Sequence, residues 1–274
     1  MSLYNQFNGR YDFTFIGNTM NSAENNPSPG FVTGTSSTTT LSLNSTDVIE
    51  KAYLYWAGSG DGDFEVNLNS DVITPDRTFS FFRIFNDVTF TYFSAFKDVT
   101  SLIQATGNGD YTLSNLDISP FEELHFQRKT NFAGWAIVII YKNNTLPLNQ
   151  VNVYDGLQGV PDALSITLSS LNVIDDNNSK VGFVAWEGDA SLATESFYFN
   201  GNLLSNTLNP PDNVFNGTNS ITGSNTLYNM DLDIYNLQNY IQIGQNTAQI
   251  RLTSYYDPVV NGQDFIMIDR KSVV

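Results

Sequence analysis

The residues that most suggest chemistry are carboxylates next to glycine. Residues 58–65 (GSGDGDFE) place two aspartates two positions apart in a loop, and an EGD triplet follows a predicted strand at residues 187–189. Calcium takes six to eight oxygen ligands, and alternating carboxylates in such loops supply them. We therefore expect Ca²⁺ as the cofactor; the alternative is that these acids hold solvated turns through main-chain N–H groups. The expected ligands are Asp61, Asp63, Glu187 and Asp189.

Other carboxylates leave two further hypotheses open. Asp231 and Asp233 would share one face of a strand, and Asp175 and Asp176 are adjacent in the sequence, so each pair could also bind a cation. Glycoside hydrolysis needs two acids held about 5–5.5 Å or 6.5–9.5 Å apart. A β-sandwich glycan hydrolase that uses such a pair is therefore the alternative function. Its candidate acids are Glu65, Glu122, Glu123, Glu187 and Glu195, and the pair Glu187 and Asp189 has the spacing that suits a hydrolase cleft best.

The single histidine, His125, lies in the mixed, charged stretch FEELHFQRK at residues 121–129. A Ser–His–Asp triad would have to use it, but the sequence has no G-x-S-x-G nucleophile elbow. We expect residues 121–129 to form an exposed loop with His125 as an ordinary surface residue.

Several aromatic residues could stack on sugars, although large aromatics more often fill a core. Tyr255-Tyr256 has the most loop-like surroundings, beside Asp257-Pro258, and is the most available of them. The other candidates are Tyr53, Tyr55, Trp56, Tyr92, Tyr228 and Tyr235.

The composition excludes several classes of protein. The chain has 274 residues, 12 basic and 28 acidic side chains, a net charge of −16, one histidine and no cysteine. Thiolate chemistry and multi-histidine metal sites are therefore excluded. Nucleic acid is an unfavourable partner, because phosphate binding requires clustered Lys and Arg. The chain holds 33 asparagines, a composition that favours an extracellular surface module over a cytosolic enzyme.

The elements that must position these residues are almost all β-strands. Short apolar or alternating runs rich in Val, Ile, Phe, Tyr and Thr recur between Asn-Gly and Asp-Gly turns. Residues 133–141 (AGWAIVIIY) predict a central strand that is covered on both faces, and residues 52–58 predict a core strand. Helical patterns are confined to residues 98–105 and, more weakly, 231–240.

This pattern predicts an all-β fold, a jelly-roll-like β-sandwich or two packed sandwiches, with at most one or two short helices. The polar stretch near residue 145 suggests halves at 1–145 and 146–274, unless the chain forms one continuous module. Residues 21–45 should run over the surface, with an edge strand near residues 39–43. No apolar run reaches 18 residues and residues 1–20 lack a signal-peptide pattern, so we expect no membrane insertion. Residues 265–268 predict a strand that ends six residues before the last residue, so we expect a module of a longer multidomain chain.

A set of strings along nearly the whole chain resembles a large secreted domain of Bacteroidetes surface proteins, the gliding-motility and adhesin proteins exported by type IX secretion. Each string is weak alone, and the set is specific. The strings are NGRYD at residues 8–12, IGNT at 16–19, AYLYWAGSG at 52–60, GDF at 62–64, AFKDVT at 95–100, NFAGWAIVIIY at 131–141, PLNQVNVYDG at 147–156, GFVAWEGD at 182–189, NGTNS at 216–220 and YNMDLDIY at 228–235.

The resemblance implies a cell-surface, extracellular location and an adhesin-like role, and it supplies no catalytic residues. Together with the composition, it predicts a non-catalytic module that binds glycan or another surface polymer and is rigidified by Ca²⁺. The alternatives are the glycan-active hydrolase and a structural spacer that binds no ligand.

Overall fold

The structure is a computed structural model that describes residues 2–26, 34–160 and 163–254, and the backbone of a last strand at residues 266–269. The elements of the first part are β1 (Ser2–Gly9), β2 (Tyr11–Thr19), β3 (Ser36–Leu41), β4 (Val48–Ser59), β5 (Val66–Leu68), β6 (Asp71–Ile73), β7 (Arg77–Phe85), β8 (Val88–Asp98), α1 (Thr100–Thr106), β9 (Gly109–Ser114), α2 (Ser119–Phe126) and β10 (Ala133–Lys142). Those that follow are β11 (Asn149–Asp155), β12 (Leu157–Val160), β13 (Ala163–Leu168), β14 (Lys180–Trp186), β15 (Glu195–Phe199), β16 (Asn202–Leu204), β17 (Met230–Asn236), β18 (Ala248–Ser254) and β19 (Ile266–Asp269).

The strands form four antiparallel sheets and one two-stranded ribbon, β1-β11. The central sheet has the order β2-β10-β4-β8-β7, and the outer N-terminal sheet β3-β9-β5-β6. The inner C-terminal sheet has the order β12-β19-β14-β17, and the outer C-terminal sheet β13-β18-β15-β16. The all-β prediction with two short helices is therefore confirmed.

The sheets stack in four layers, because the central and inner C-terminal sheets each carry apolar side chains on both faces. On β10, Trp135 and Ile137 belong to the core shared with the outer N-terminal sheet. Val138 of the same strand faces the other way, into a core that also contains Trp186 of β14. Phe183 of β14 packs in a third core against the outer C-terminal sheet. The predicted two-faced burial of residues 133–141 follows from this central place.

Two hairpins show how local sequence sets the strand register. Asn86 and Asp87 connect β7 to β8, and Asn200 and Gly201 connect β15 to β16, all with positive φ. Such a two-residue connection has the twist that antiparallel strands need, and Asn, Asp and Gly tolerate it best.

Two predictions about helices had different outcomes. The helix expected at residues 98–105 is α1, and the carboxylate of Asp98 accepts the Thr100 main-chain N–H at 3.0 Å. The helix suggested for residues 231–240 is wrong, because this segment begins with strand β17, which pairs with β14. Its residues alternate between faces: Met230 and Leu232 enter one core and Tyr235 enters another.

The proposed boundary near residue 145 falls between β10 and β11. Strands β2 to β10 build the central and outer N-terminal sheets, whereas β1 crosses the boundary to pair with β11. The division into halves stays a prediction. Neither α1 nor α2, the helices of the described ranges, is long and apolar enough to cross a membrane.

Candidate functional site

Asp61 and Asp63 lie in the loop after β4 and bind separate partners. Asp61 is exposed and accepts the Thr91 hydroxyl at 2.7 Å. Asp63 accepts the Asp117 main-chain N–H at 2.8 Å, and its own carbonyl oxygen accepts the Trp56 indole N–H. These bonds fit the alternative of two acids that hold a turn, and calcium binding here stays a prediction.

Glu187 and Asp189 follow β14 and are both buried, with 1% and 0% of their surfaces exposed. Glu187 has φ 73° and faces the interior, where its charge adds to the burial that raises the pKa of Tyr92. Asp189 is oriented differently: it accepts the side-chain amides of Asn26 at 2.7 Å and Asn229 at 3.0 Å. Burial keeps a polymer substrate away from either carboxylate.

The partner that the structure brings to Asp189 is Glu24, whose side chain lies within hydrogen-bonding reach of it. Both carboxylate oxygens of Glu24 are buried, and the Ala190 main-chain N–H lies beside this carboxyl. Hydrogen bonds from asparagine side chains fix the segment that carries Glu24. The side-chain amides of Asn21 and Asn25 both donate to the carbonyl oxygen of Asn131, at 2.9 and 2.6 Å.

Asp231 reaches the same region from β17. Its Oδ1 accepts the main-chain N–H groups of Asn216 and Thr218 at 3.0 and 2.9 Å. Its Oδ2 is buried and accepts no hydrogen bond from the described residues. This atom faces the turn before Asp189, because a Cβ built on Gly188 would lie 2.8 Å from it.

Asp233, two residues further along the same face of β17, is fully satisfied. Its Oδ2 accepts from Asn209 and Thr218, and its Oδ1 accepts from the Ser220 main-chain N–H. Asp231 and Asp233 therefore share a strand face, as the sequence predicted, but differ in their hydrogen bonding.

The electrostatics of this acidic cluster, defined as Glu24, Asp189 and Asp231, disfavour three negative charges. Burial, followed by the charges of Asp189 and Asp231, raises the pKa of Glu24 to about 9. Burial raises the pKa of Asp189, and burial together with Asp233 raises the pKa of Asp231. Hydrogen bonds from neutral groups oppose these shifts. Without a bound cation, the cluster therefore holds at least one proton near neutral pH.

Sequence reasoning missed Glu24, because residues 21–45 read as a polar surface segment. One signal marks it: Glu24 is the only charged residue between Asp12 and Asp47. Three asparagines surround it, Asn21, Asn25 and Asn26, and all three are buried. A lone acid among buried amides points to an interior role, but only the fold places it beside a residue 165 positions away.

A cleft of about 640 Å³ lies where residues 146–151 and 171–180 approach β2 and β17. Asp12 and Lys180 form an ion pair at its wall, and Leu148 and Ile174 expose aliphatic surface. Six side-chain amides line the cleft. They belong to Asn149, Gln150, Asn172, Asn177, Asn178 and Asn236.

The acids considered for hydrolysis do not meet in this cleft. Glu65, Glu122 and Glu123 lie elsewhere on the surface, and Glu187 and Glu195 are buried. The two carboxylates in the cleft wall are both engaged: Asp12 with Lys180, and Asp175 with Asn177 at 2.6 Å. The lining of this cleft therefore offers no unengaged pair of acids of the kind that glycoside hydrolysis requires.

The prediction for His125 is wrong. Residues Ser119–Phe126 form α2, and His125 is fully buried at its last turn, edge-on to the rings of Phe90 and Tyr92. Its Nδ1 lies 2.9 Å from the Thr130 hydroxyl. The side chain turns inward because its ring completes an aromatic core, and burial lowers its pKa to about 4.

The proposed aromatic platform is also absent from the described residues. Most of the candidate rings are buried in the cores, as the alternative interpretation held. Tyr228 is half-buried, and Tyr255 and Tyr256 lie outside the described residues. The buried rings are Tyr53, Tyr55, Trp56, Tyr92 and Tyr235.

Comparisons with known proteins found no matching family model, no matching curated protein and no matching solved structure. The resemblance to Bacteroidetes surface proteins therefore stays a prediction.

Proposed function

We propose that this protein is a non-catalytic, adhesin-like module of a bacterial cell surface that binds a neutral glycan in the amide-lined cleft. The observation that carries the proposal is the cleft itself, with six side-chain amides and exposed aliphatic surface in about 640 Å³. Amides donate and accept hydrogen bonds, as sugar hydroxyls do, and aliphatic side chains suit the C–H faces of a sugar ring.

Two of these amides are available to a ligand. The side chains of Asn172 and Asn178 are exposed and make no hydrogen bond to any described residue. The exposed Leu148 and Ile174 lie in the same lining. Asp12 and Lys180 neutralise each other in an ion pair, and the other carboxylate of the wall, Asp175, is bonded to the neutral amide of Asn177. This distribution of charge favours an uncharged ligand over an anionic one.

The same features argue against hydrolysis. Catalysis would need an unpaired acid with a raised pKa at the ligand. The acids with raised pKa values, Glu24, Asp189, Asp231 and Asp233, are not in the cleft lining. Binding without turnover is therefore the function that this geometry supports best. The proposal also includes that the protein is an extracellular module of a longer chain.

A glycan array with the purified protein, followed by calorimetry on a hit, tests the proposal. We expect Asn172→Ala combined with Asn178→Gly to weaken binding at least about 10-fold, because two hydrogen bonds to the ligand are lost. Glycine suits position 178, where φ is 58°. Gln249→Ala, which removes an exposed strand amide outside the cleft, is the matched control and should bind as the unaltered protein does.

Two results would contradict the proposal. An array without any bound glycan would favour the ligand-free spacer. Release of shorter sugars from a bound glycan would favour the hydrolase.

A further inference from the structure

The acidic cluster lies at the edge of the inner C-terminal sheet, where residues 21–26 cross β17 and the turn after β14. Three independent parts of the chain each supply one acid: Glu24, Asp189 and Asp231. The side chain of Asp231 is 0% exposed, and its Oδ2 is directed at the Gly188-Asp189 turn without a hydrogen-bond donor among the described residues. A buried carboxylate oxygen without a donor is costly, and a cation removes that cost.

A second oxygen atom of the site lacks a donor: Oδ1 of Asn26 is buried and accepts no hydrogen bond from a described residue. Both oxygens of Glu24 are buried too, beside the Asp189 carboxyl and the Ala190 main-chain N–H. The Asn26 amide lies 2.7 Å from Asp189, and a Cβ on Gly217 would lie 2.8 Å from Glu24 Oε1. Glu24 also interacts electrostatically with both Asp189 and Asp231, so the three acids lie in one region of the interior.

Basic side chains do not neutralise the cluster in the ion pairs that the structure shows. Each of these pairs uses a different acid. They are Lys51–Asp98, Arg77–Asp155, Lys97–Asp76, Lys142–Glu50 and Lys180–Asp12.

We propose that Glu24, Asp189 and Asp231, with the amide oxygen of Asn26, bind one Ca²⁺ ion that fastens residues 21–26 to the inner C-terminal sheet. Oxygen ligands of this kind suit a hard cation, and calcium tolerates the irregular geometry that an amide and three carboxylates provide. The site contains Asp189 from the four expected calcium ligands and Asp231 from the further pair that could bind a cation. It is independent of the glycan cleft, because none of its residues lines that cleft.

Binding requires a rearrangement of one side chain. Among the described residues, no group of three His, Asp or Glu side chains is already placed to hold a metal ion, and Glu24 contacts Asp189 directly. Glu24 must turn away from Asp189 to let the ion between them. Residues 22–26 belong to no strand or helix, so this movement breaks no ladder of main-chain hydrogen bonds.

Calorimetry and thermal unfolding of the EDTA-treated protein, with CaCl₂ as the probe, test the proposal. We expect one ion per chain and a rise in Tm of about 5 °C at a free Ca²⁺ concentration 100 times the Kd. Mg²⁺ at the same concentration should raise Tm less, because it demands a more regular octahedral site. Absence of Ca²⁺ uptake at millimolar concentration would overturn the proposal.

Variants locate the ion. We expect Glu24→Gln and Asp231→Asn each to weaken Ca²⁺ binding at least about 100-fold, since each replaces a charged carboxylate ligand by a neutral amide. Glu24 is half-buried on an irregular segment, so the Glu24→Gln variant should fold even if Asp231→Asn, a change within β17, prevents folding. Near-ultraviolet circular dichroism of the Ca²⁺-free variant checks that it is folded. Asp233→Asn and Asp63→Asn are the controls and should keep the Ca²⁺-dependent rise in Tm. Unchanged binding by the folded Glu24→Gln variant would place the ion elsewhere and overturn the proposal.

Discussion

His125 provides a sharp test of the packing around α2. The ring is fully buried, and burial lowers its pKa to about 4 from the free value of 6.5. A depressed pKa means that the folded state prefers the neutral ring. The stability that depends on a neutral His125 is therefore complete above pH 6.5. It is lost as the pH falls from 6.5 towards 4. Linkage between the two pKa values gives a loss of about 2 kcal/mol in the free energy of unfolding between pH 7 and pH 5.

Urea unfolding at pH 7 and pH 5, followed by tryptophan fluorescence, measures this loss when the unaltered protein is compared with His125→Gln. Glutamine does not titrate, so the difference between the two pH dependences isolates the imidazole from the carboxylates that titrate in both proteins. We expect the unaltered protein to lose about 2 kcal/mol more than the variant over this interval. Parallel pH dependences would show that His125 is protonated as easily in the folded chain as in the unfolded one, and would refute the assignment of a dry aromatic pocket.

Three further changes test other parts of the fold by urea unfolding or sedimentation. Gly17→Ala should lower the free energy of unfolding by about 3 kcal/mol, since the added Cβ would lie 2.4 Å from the Trp135 carbonyl oxygen within the central sheet. A loss smaller than about 1 kcal/mol would mean that the sheet opens easily. Arg77→Ala should lower the free energy of unfolding by about 2–3 kcal/mol, because it removes the cation that pairs with the buried carboxylate of Asp155. An unchanged midpoint of urea unfolding would contradict that role. Phe82→Lys, at a position 63% exposed on the edge strand β7, should leave the free energy of unfolding within about 0.5 kcal/mol of the original value. Because an exposed edge strand can pair with a second copy, the added charge should also weaken any self-association seen by sedimentation. A large loss of stability would show that this face is covered.

Local pattern was sufficient to predict those features that depend on neighbours in the sequence. The unbroken apolar run of β10 indicated a strand buried on both faces, and the Asn200-Gly201 pair indicated a hairpin. His125 was misjudged because charged neighbours dominate residues 121–129, whereas one inward ring decides its environment.

The acidic cluster could be predicted only in part. Asp189 stood out because it follows a strand, and strand alternation placed Asp231 and Asp233 on one face. Glu24 could not be paired with Asp189 from the sequence, since their contact depends on how residues 21–26 cross a sheet built much later in the chain. Contacts of this kind are set by the stacking of sheets rather than by periodicity.

The pairing of β1 with β11 determines when the chain can fold. Phe7 lies opposite Val151, and Thr19 of β2 lies opposite Gly134 of β10, so the first two strands have partners more than a hundred residues away. A chain emerging from the ribosome must therefore leave its first strand unpaired until residue 155 has been made. Closing such long loops before their contacts form is slow. We expect this protein to fold late and as a whole, with a long interval during which the extended chain is available to chaperones or to a transport machinery.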